Sequence, residues 1–178
     1  EMIKVWEGGL ASHGAAIGIP LSIYLLTKKQ KDKTVLWILD RVVIVVALAA
    51  VLIRLGNLFN SEILGTATDV PWAFIFARVD DVPRHPAQLY ESIFYLISFI
   101  ILYFVYYKTE KKSKQGFIFG FFLLLIFGFR FFVEFLKIEQ SAFEKGMILD
   151  MGQLLSIPFI IGGLYFMFRK EKESINKK

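Results

Sequence analysis

Residues 36–58 read LWILDRVVIVVALAAVLIRLGNL, an apolar stretch long enough to cross a lipid bilayer as one helix. Four further stretches, at roughly 10–27, 89–107, 117–136 and 147–168, have the same character. Of the 178 residues, 56% are hydrophobic and 19 are Phe, and the mean hydropathy is +0.55. These values predict an all-α, polytopic transmembrane helical bundle with five spans, formed by residues 1–178 as one membrane-embedded domain.

Basic residues lie mainly in alternate connections between the spans. One side of the membrane receives three basic groups, within residues 28–33, 108–114 and 169–178. The other side receives only Lys4, Arg78, Arg84, Lys137 and Lys145. By the positive-inside rule, the two Lys-rich loops and the basic tail 169–178 are cytoplasmic, and the long connection 59–88 is external. The net charge of +5 therefore reflects membrane topology and predicts no nucleic-acid partner.

The predicted topology places the start of the first span outside, without a signal peptide in front of it. In addition, Glu1 precedes Met2, so the first residue is not an initiator. We therefore expect further helices upstream of residue 1.

The residue composition limits the chemistry that this chain can perform. It contains no Cys and two His, which rules out disulfides, a catalytic thiol of its own and a histidine-rich metal site. We therefore expect no metal and no cofactor, and any reacting thiol must belong to a substrate.

Two arginines interrupt otherwise apolar spans. Arg54 lies near the end of the second span, and Arg130 lies in the fourth. Placing a guanidinium near the centre of a bilayer costs about 2.5 to 3.5 kcal/mol. Two such residues predict an anionic partner within the membrane, which is either a carboxylate or a lipid phosphate.

Arg54 begins a set of polar residues at helical spacing. Asn57 and Asn60 follow it by three and six positions, so all three side chains can face one cavity. Together they offer a planar guanidinium fork and two amides to a phosphate. A network that caps the carbonyl groups of the helix end explains the same pattern equally well. Glu62 either orients Arg54 or lies in solvent.

The second arginine has its own possible counter-ion. Glu134 follows Arg130 by four residues, which allows an ion pair within the helix. Lys137 lies a further turn along and offers Glu134 another partner, which would leave Arg130 for a ligand. Both arrangements remain open.

Both histidines lie beside the predicted outer surface. His13, in GGLASHG (8–14), is suited to act as a base near neutral pH or simply to pack against small neighbours. RHPAQLYE (84–91) enters the third span with four polar or charged side chains that form either a structural cluster at the mouth of the helix or part of a catalytic site. Those four are Arg84, His85, Gln88 and Glu91. Tyr90 fits the interfacial aromatic belt, and Asp40 with Arg41 fits an anchoring pair at the opposite interface.

Four segments in this order resemble the prolipoprotein diacylglyceryl transferase family over nearly the whole chain. They are GGLASHG (8–14), RLGNLFNSE (54–62) with Gly65 following, RHPAQLYE (84–91) and FRFFVE (129–134). The second segment is the most specific. The family often has a Tyr one turn before the second arginine, where this chain has Ile126 and Phe127.

The resemblance implies a seven-helix enzyme of the bacterial inner membrane, with its active site toward the outer side. It would move the diacylglyceryl group of phosphatidylglycerol onto the lipobox cysteine of a preprolipoprotein signal peptide and release glycerol phosphate. Five of the seven spans would be present here, without the N-terminal helices. The absence of Cys agrees with a thiol supplied by the substrate.

The resemblance and the chemistry of the residues together suggest individual roles. Arg54 and Arg130 would bind the phosphate, Asn57 and Asn60 would orient the headgroup, and Gly65 belongs to the same binding segment. Glu62 and Glu134 would fix the arginines, while His13 would accept the thiol proton or position the lipid. Supporting roles would fall to Arg84, His85, Gln88, Tyr90 and Glu91.

Rival functions remain open. Another lipid headgroup or acyl transferase is one, although the acyltransferase pattern His-x-x-x-x-Asp fails because Gly18 and Tyr90 occupy the required positions. A transporter would also place arginines in a membrane cavity, and a structural membrane subunit would use them to pair helices.

Overall fold

The computed structural model describes residues 11–30, 32–138 and 149–170. Within these ranges the chain forms five α-helices, each within a few residues of a predicted span. They are α1 (Ala11–Lys29), α2 (Val35–Phe59), α3 (Ala87–Lys108), α4 (Phe117–Val133) and α5 (Met151–Phe168). Short 3-10 turns follow α3, at Glu110–Ser113, and α4, at Glu134–Leu136. The beginning of the fifth predicted span and most of the basic tail lie outside the described residues.

Four of these helices are long and apolar enough to cross a membrane, namely α2, α3, α4 with its 3-10 turn, and α5. α1 forms a helix of 19 residues but does not reach the same hydropathy. Its small and polar residues, together with Lys28 and Lys29, dilute its apolar character. The prediction of an all-α, polytopic membrane bundle is confirmed.

The core lies where α2, α3 and α4 meet, and α5 packs along α4. Ala47 and Leu102 are fully buried, and Phe94 of α3 stacks on Phe129 of α4 with ring centroids 3.9 Å apart. Many apolar side chains on the outer faces are exposed, as expected for helices that face lipid. The two ends of the bundle differ in character. One end carries the polar segments 54–62 and 84–91, and the other carries most of the lysines.

Asp40 has a different role from the interfacial anchoring pair that we expected. Its carboxylate is buried and accepts hydrogen bonds from the backbone N–H groups of Gly116 (2.7 Å) and Phe119 (2.8 Å). Gly116 precedes α4 with φ of 87° and provides no side-chain cap. A carboxylate at a helix N-terminus satisfies otherwise unpaired N–H groups and complements the helix dipole. Asp40 on α2 therefore caps α4 and aligns the two helices.

The long connection 59–88 forms a small platform with two short strands. Two short antiparallel strands, β1 (Phe74–Ile75) and β2 (Pro83–Arg84), pair with one another. Ala67 bridges to Arg84, while Gly65 bridges to Lys137, just beyond α4. We call residues 64–68, 74–75, 83–85 and 136–138 the loop platform. It ties the end of α2, the start of α3 and the end of α4 together at one end of the bundle.

Candidate functional site

Charged side chains from three helix ends meet beneath the loop platform. Glu91, near the start of α3, has one oxygen 3.1 Å from Arg54 Nε and the other 3.2 Å from Lys137 Nζ. Lys137 Nζ also lies 3.0 Å from a carboxylate oxygen of Glu134. The Tyr95 hydroxyl donates to Glu91 Oε1 at 3.1 Å. We call Arg54, Glu91, Arg130, Glu134 and Lys137 the charge cluster.

The central members of this cluster are removed from solvent. The side chain of Glu91 is 0% exposed, and that of Lys137 is 2% exposed. A buried ion is tolerated only when opposite charges and hydrogen bonds replace its hydration. Glu91 meets this condition through two cations and one hydroxyl. This carboxylate therefore fixes the position of Arg54 from a neighbouring helix.

Among the residues that the structure describes, Arg130 is the member of the charge cluster without a carboxylate partner. Within the described ranges, no carboxylate lies within 4.0 Å of its guanidinium, since Glu134 forms its ion pair with Lys137. Phe94 stacks on Phe129, which places the part of α4 that carries Arg130 beside the part of α3 that carries Glu91 and Tyr95. The cluster thus holds three cations and two carboxylates. Its surplus of one positive charge suits a monoanionic ligand.

Glu62 connects Arg54 to the loop that follows α2. Arg54 Nη1 donates to Asn57 Oδ1 at 3.4 Å, and Asn57 Nδ2 donates to a Glu62 carboxylate oxygen at 2.8 Å. Gln88 Nε2 of α3 donates to the backbone oxygen of Glu62 at 2.5 Å. Asn60 ends α2, and its backbone N–H bonds to Gly56 O at 2.9 Å while its side chain is exposed. Arg54, Asn57 and Glu62 therefore form a chain of contacts, and Asn60 stands outside it.

The turn that carries Glu62 has unusual backbone geometry. Ser61 has φ of 58° and Ile63 has φ of 57°. The left-handed region is rare for residues other than glycine and is costly for a β-branched residue such as Ile63. Contacts from Asn57 and Gln88 on both sides of Glu62 hold the turn in this conformation. Backbone strain of this kind clusters at binding and catalytic sites.

Gly65 lies where the platform is tightest. A Cβ at this position would collide with the backbone oxygen of His85. On the other side, the N–H of Thr66 donates to Leu136 O at 2.8 Å, and Gly65 itself bridges to Lys137. Only glycine allows this close approach. Gly65 thereby sets the position of the backbone beside Lys137 and hence beside the charge cluster.

The residues at the start of α3 do not form the single cluster that was one possibility. Arg84 turns away and binds Asp80, with Nη2 2.5 Å from a carboxylate oxygen, and this hydrogen bond holds the pKa of Asp80 below its usual value. His85 Nδ1 lies 3.2 Å from the Tyr90 hydroxyl, which accepts from Trp72 Nε1 at 2.8 Å. The Tyr90 hydroxyl thus joins Trp72 of the 59–88 connection to His85. These two pairs brace the platform.

The structure gives Arg54 a partner that the sequence did not identify, and it decides between the two arrangements that were open for Glu134. Arg54 pairs with Glu91, which lies 37 positions away, so no local pattern could have identified it. Glu134 pairs with Lys137 rather than Arg130, which was one of the two open arrangements. Tyr95 was missed, although its spacing of four from Glu91 places both on one helix face.

His13 lies in α1, but its side chain falls outside the described residues, so its contacts with the charge cluster are not assigned. Across residues 11–30, 32–138 and 149–170, the structure contains no group of three His, Cys, Asp or Glu side chains arranged to hold a metal ion.

Comparison with known proteins relates this site to one family. The family model described as "Prolipoprotein diacylglyceryl transferase" matches residues 1–169. A phosphatidylglycerol–prolipoprotein diacylglyceryl transferase of Tolumonas auensis is 44% identical over 173 residues, which cover 97% of this chain and 67% of the relative. Its counterpart in Chloroherpeton thalassium is 47% identical over 174 residues, covering 98% and 65% respectively. That of Bacteroides fragilis is 53% identical over 160 residues, covering 90% and 57%. The chain thus spans between 57% and 67% of the length of these relatives.

Proposed function

Because the chain belongs to the prolipoprotein diacylglyceryl transferase family, we propose that it performs the transfer for which the family is named. The donor is phosphatidylglycerol, and the acceptor is the lipobox cysteine in the signal peptide of a preprolipoprotein. The charge cluster is the site at which the phosphate of the donor binds.

This assignment rests on one observation: the charge cluster has three cationic and two anionic side chains, and therefore one positive charge in excess. Lys137 and Glu134 are matched with each other, and Glu91 is matched with Arg54 and Lys137. The phosphodiester of phosphatidylglycerol bears one negative charge, which balances the remaining charge of Arg130. A guanidinium fork is suited to hold two phosphate oxygens at once.

The reaction increases the negative charge at this position. The substrate thiolate attacks the glycerol carbon of the diacylglyceryl group, a C–S bond forms, and the C–O bond to phosphate breaks. The electron pair of that bond remains on glycerol phosphate, which leaves with one more negative charge than the bound diester. Arg54 and Arg130 in a water-poor site therefore interact more strongly with the leaving group than with the donor, which lowers the barrier.

Several residues have proposed roles around the phosphate. Glu91 holds Arg54, while Asn57 and Glu62 form the polar edge on which the glycerol headgroup rests. Asn60, exposed at the end of α2, contacts the headgroup from outside. A thiol with an ordinary pKa of about 8.5 needs a base near neutral pH, and His13 remains our candidate for that base.

We place the protein in the bacterial inner membrane with the loop platform on the outer side. The lysines at the opposite end support this orientation, since basic loops remain in the cytoplasm. A secreted signal peptide would then reach the charge cluster from the side on which the platform lies.

Mass spectrometry of a lipobox peptide tests the proposed reaction. The peptide is incubated with phosphatidylglycerol and membranes that contain the full-length protein, beside a matched peptide in which Ser replaces the cysteine. We expect a diacylglyceryl mass increment on the Cys peptide alone, together with release of glycerol phosphate. Well-folded protein that gives no increment, or an equal increment on both peptides, would contradict the proposal.

A further inference from the structure

A groove between α2 and α3 lies at the end of the bundle opposite the charge cluster. Its volume is about 430 Å³. α2 contributes Arg41 and three aliphatic side chains, while α3 contributes only aromatic ones. The apolar lining consists of Ile44, Val45, Leu48, Phe99, Tyr103, Tyr106 and Tyr107. From Arg41 to Leu48 the groove follows roughly 10 Å of the α2 axis, and Val45, which lines it, is 66% exposed.

Cations gather at the head of this groove. The Arg41 guanidinium carbon lies 3.4 Å from the ring centroid of Trp37 and 5.4 Å from that of Tyr106. Lys33 Nζ lies 4.4 Å from the same Trp37 centroid, so the two charges are within about 8 Å of one another. Lys33 is partly matched by Asp32, at 3.1 Å. The aromatic rings hold the two cations beside the groove.

Arg41 retains most of its hydrogen-bonding capacity. Its Nη1 donates to the backbone oxygen of Trp37 at 2.6 Å, which uses one of five N–H donors. Asp40 is its sequence neighbour, but the oxygens of that carboxylate accept the N–H groups that open α4. Within the described ranges, no carboxylate lies within 4.0 Å of Arg41.

The surroundings also favour an anion at this position. Basic residues cluster at this end of the bundle and attract negatively charged lipid headgroups. They are Lys28, Lys29, Lys108, Lys111, Lys114 and Arg169. A zwitterionic lipid would bring a further positive charge close to Arg41 and Lys33, which disfavours it.

We propose that this groove binds one anionic glycerophospholipid, with its phosphate on Arg41 and one acyl chain along the aliphatic and aromatic lining. The ligand must combine an anion with a hydrocarbon chain, because the groove joins a cationic head to an apolar channel that opens into the bilayer. Arg41 lies 13 residues before Arg54 on α2, about 20 Å along the helix. The site is therefore separate from the charge cluster and does not rest on the proposed reaction.

Native mass spectrometry of protein released from vesicles with equal amounts of phosphatidylglycerol and phosphatidylcholine tests this site. All variants also carry Arg130→Gln, so that lipid bound at the charge cluster contributes less to the total amount of lipid retained. We expect Arg41→Gln to lower the retained phosphatidylglycerol about tenfold, because charge-assisted hydrogen bonds to phosphate are lost. Val45→Trp keeps Arg41 but fills the groove, and we expect a similar loss.

Lys28→Gln is the matched control. Lys28 Nζ lies 4.7 Å from the Tyr24 ring at the same end of the bundle, but away from the groove. We expect the Lys28→Gln variant to retain an amount of phosphatidylglycerol within about twofold of that retained by the protein without this substitution, because a single exposed charge contributes little. Unchanged retention in both groove variants would overturn the proposal. Equal retention of phosphatidylcholine, or a second protein chain that Val45→Trp displaces, would overturn it as well.

Discussion

Among the single residues of the candidate site, Glu91 makes the contacts that hold the others in place. Its two carboxylate oxygens serve Arg54, Lys137 and Tyr95, which belong to three different segments of the chain. Because the carboxylate is fully buried, its charge is compensated by these partners rather than by solvent. Glu91 thus determines where Arg54 is held, and its loss would leave buried cations without compensation.

Glu91→Gln therefore tests the ionic network directly. The amide keeps the shape of the side chain but removes the charge that Arg54 and Lys137 share. Breaking a buried ion pair from one side costs about 3 to 5 kcal/mol, and we expect a loss of unfolding free energy in this range. Reversible unfolding in mixed detergent micelles measures it. Asp81→Asn serves as the control, because Asp81 is an exposed carboxylate in a loop. It should change the free energy of unfolding by less than about 0.5 kcal/mol. An equally small change in Glu91→Gln would refute the network.

At the level of secondary-structure elements, the meeting of helix ends and the close packing of helices position these residues. The end of α2, the start of α3 and the end of α4 meet at the loop platform, and Asp40 aligns α2 with α4 at the other end. α4 and α5 approach through glycines: a Cβ on Gly120 would lie 2.6 Å from Gly163 O, and one on Gly163 would lie 2.8 Å from Gly120 O. The contact places α4, which carries Arg130, tightly against α5.

Two adjacent glycines of α5 provide a matched pair of variants. Gly163→Ala forces its Cβ against the backbone of α4, whereas a Cβ on Gly162 meets no atom within 4 Å. Overpacking typically costs about 1 to 3 kcal/mol, so we expect Gly163→Ala to lower the unfolding free energy by this amount. Gly162→Ala should leave it unchanged or raise it by up to about 1 kcal/mol, because alanine favours the helix. Equal effects of the two substitutions would show that the helices do not approach at Gly163.

At the level of the whole molecule, the sequence was sufficient to predict the helices but not the contacts between them. Runs of apolar residues located all five helices, since a membrane requires long apolar segments. Pairing of Arg54 with Glu91 depends on how α2 and α3 are set side by side, which no local spacing reveals. The two short strands of the loop platform were not predicted, because strands of two residues leave no periodic signal. By contrast, the choice of Glu134 between Arg130 and Lys137 was recognised in advance, because Arg130 lies about one helical turn before Glu134 and Lys137 about one turn after it.

The central claim is that Arg130 provides the unmatched charge for the phosphate of the lipid donor. The most direct measurement is kcat/KM for diacylglyceryl transfer by Arg130→Gln, compared with Arg78→Gln, an exposed arginine of the 59–88 connection. Loss of a donor aimed at developing negative charge typically costs about 10²- to 10³-fold in rate. We predict such a loss for Arg130→Gln, with unfolding free energy little changed, and a rate within about twofold of wild type for Arg78→Gln, since surface charges contribute little. An Arg130→Gln enzyme as active as the Arg78→Gln control would contradict the account.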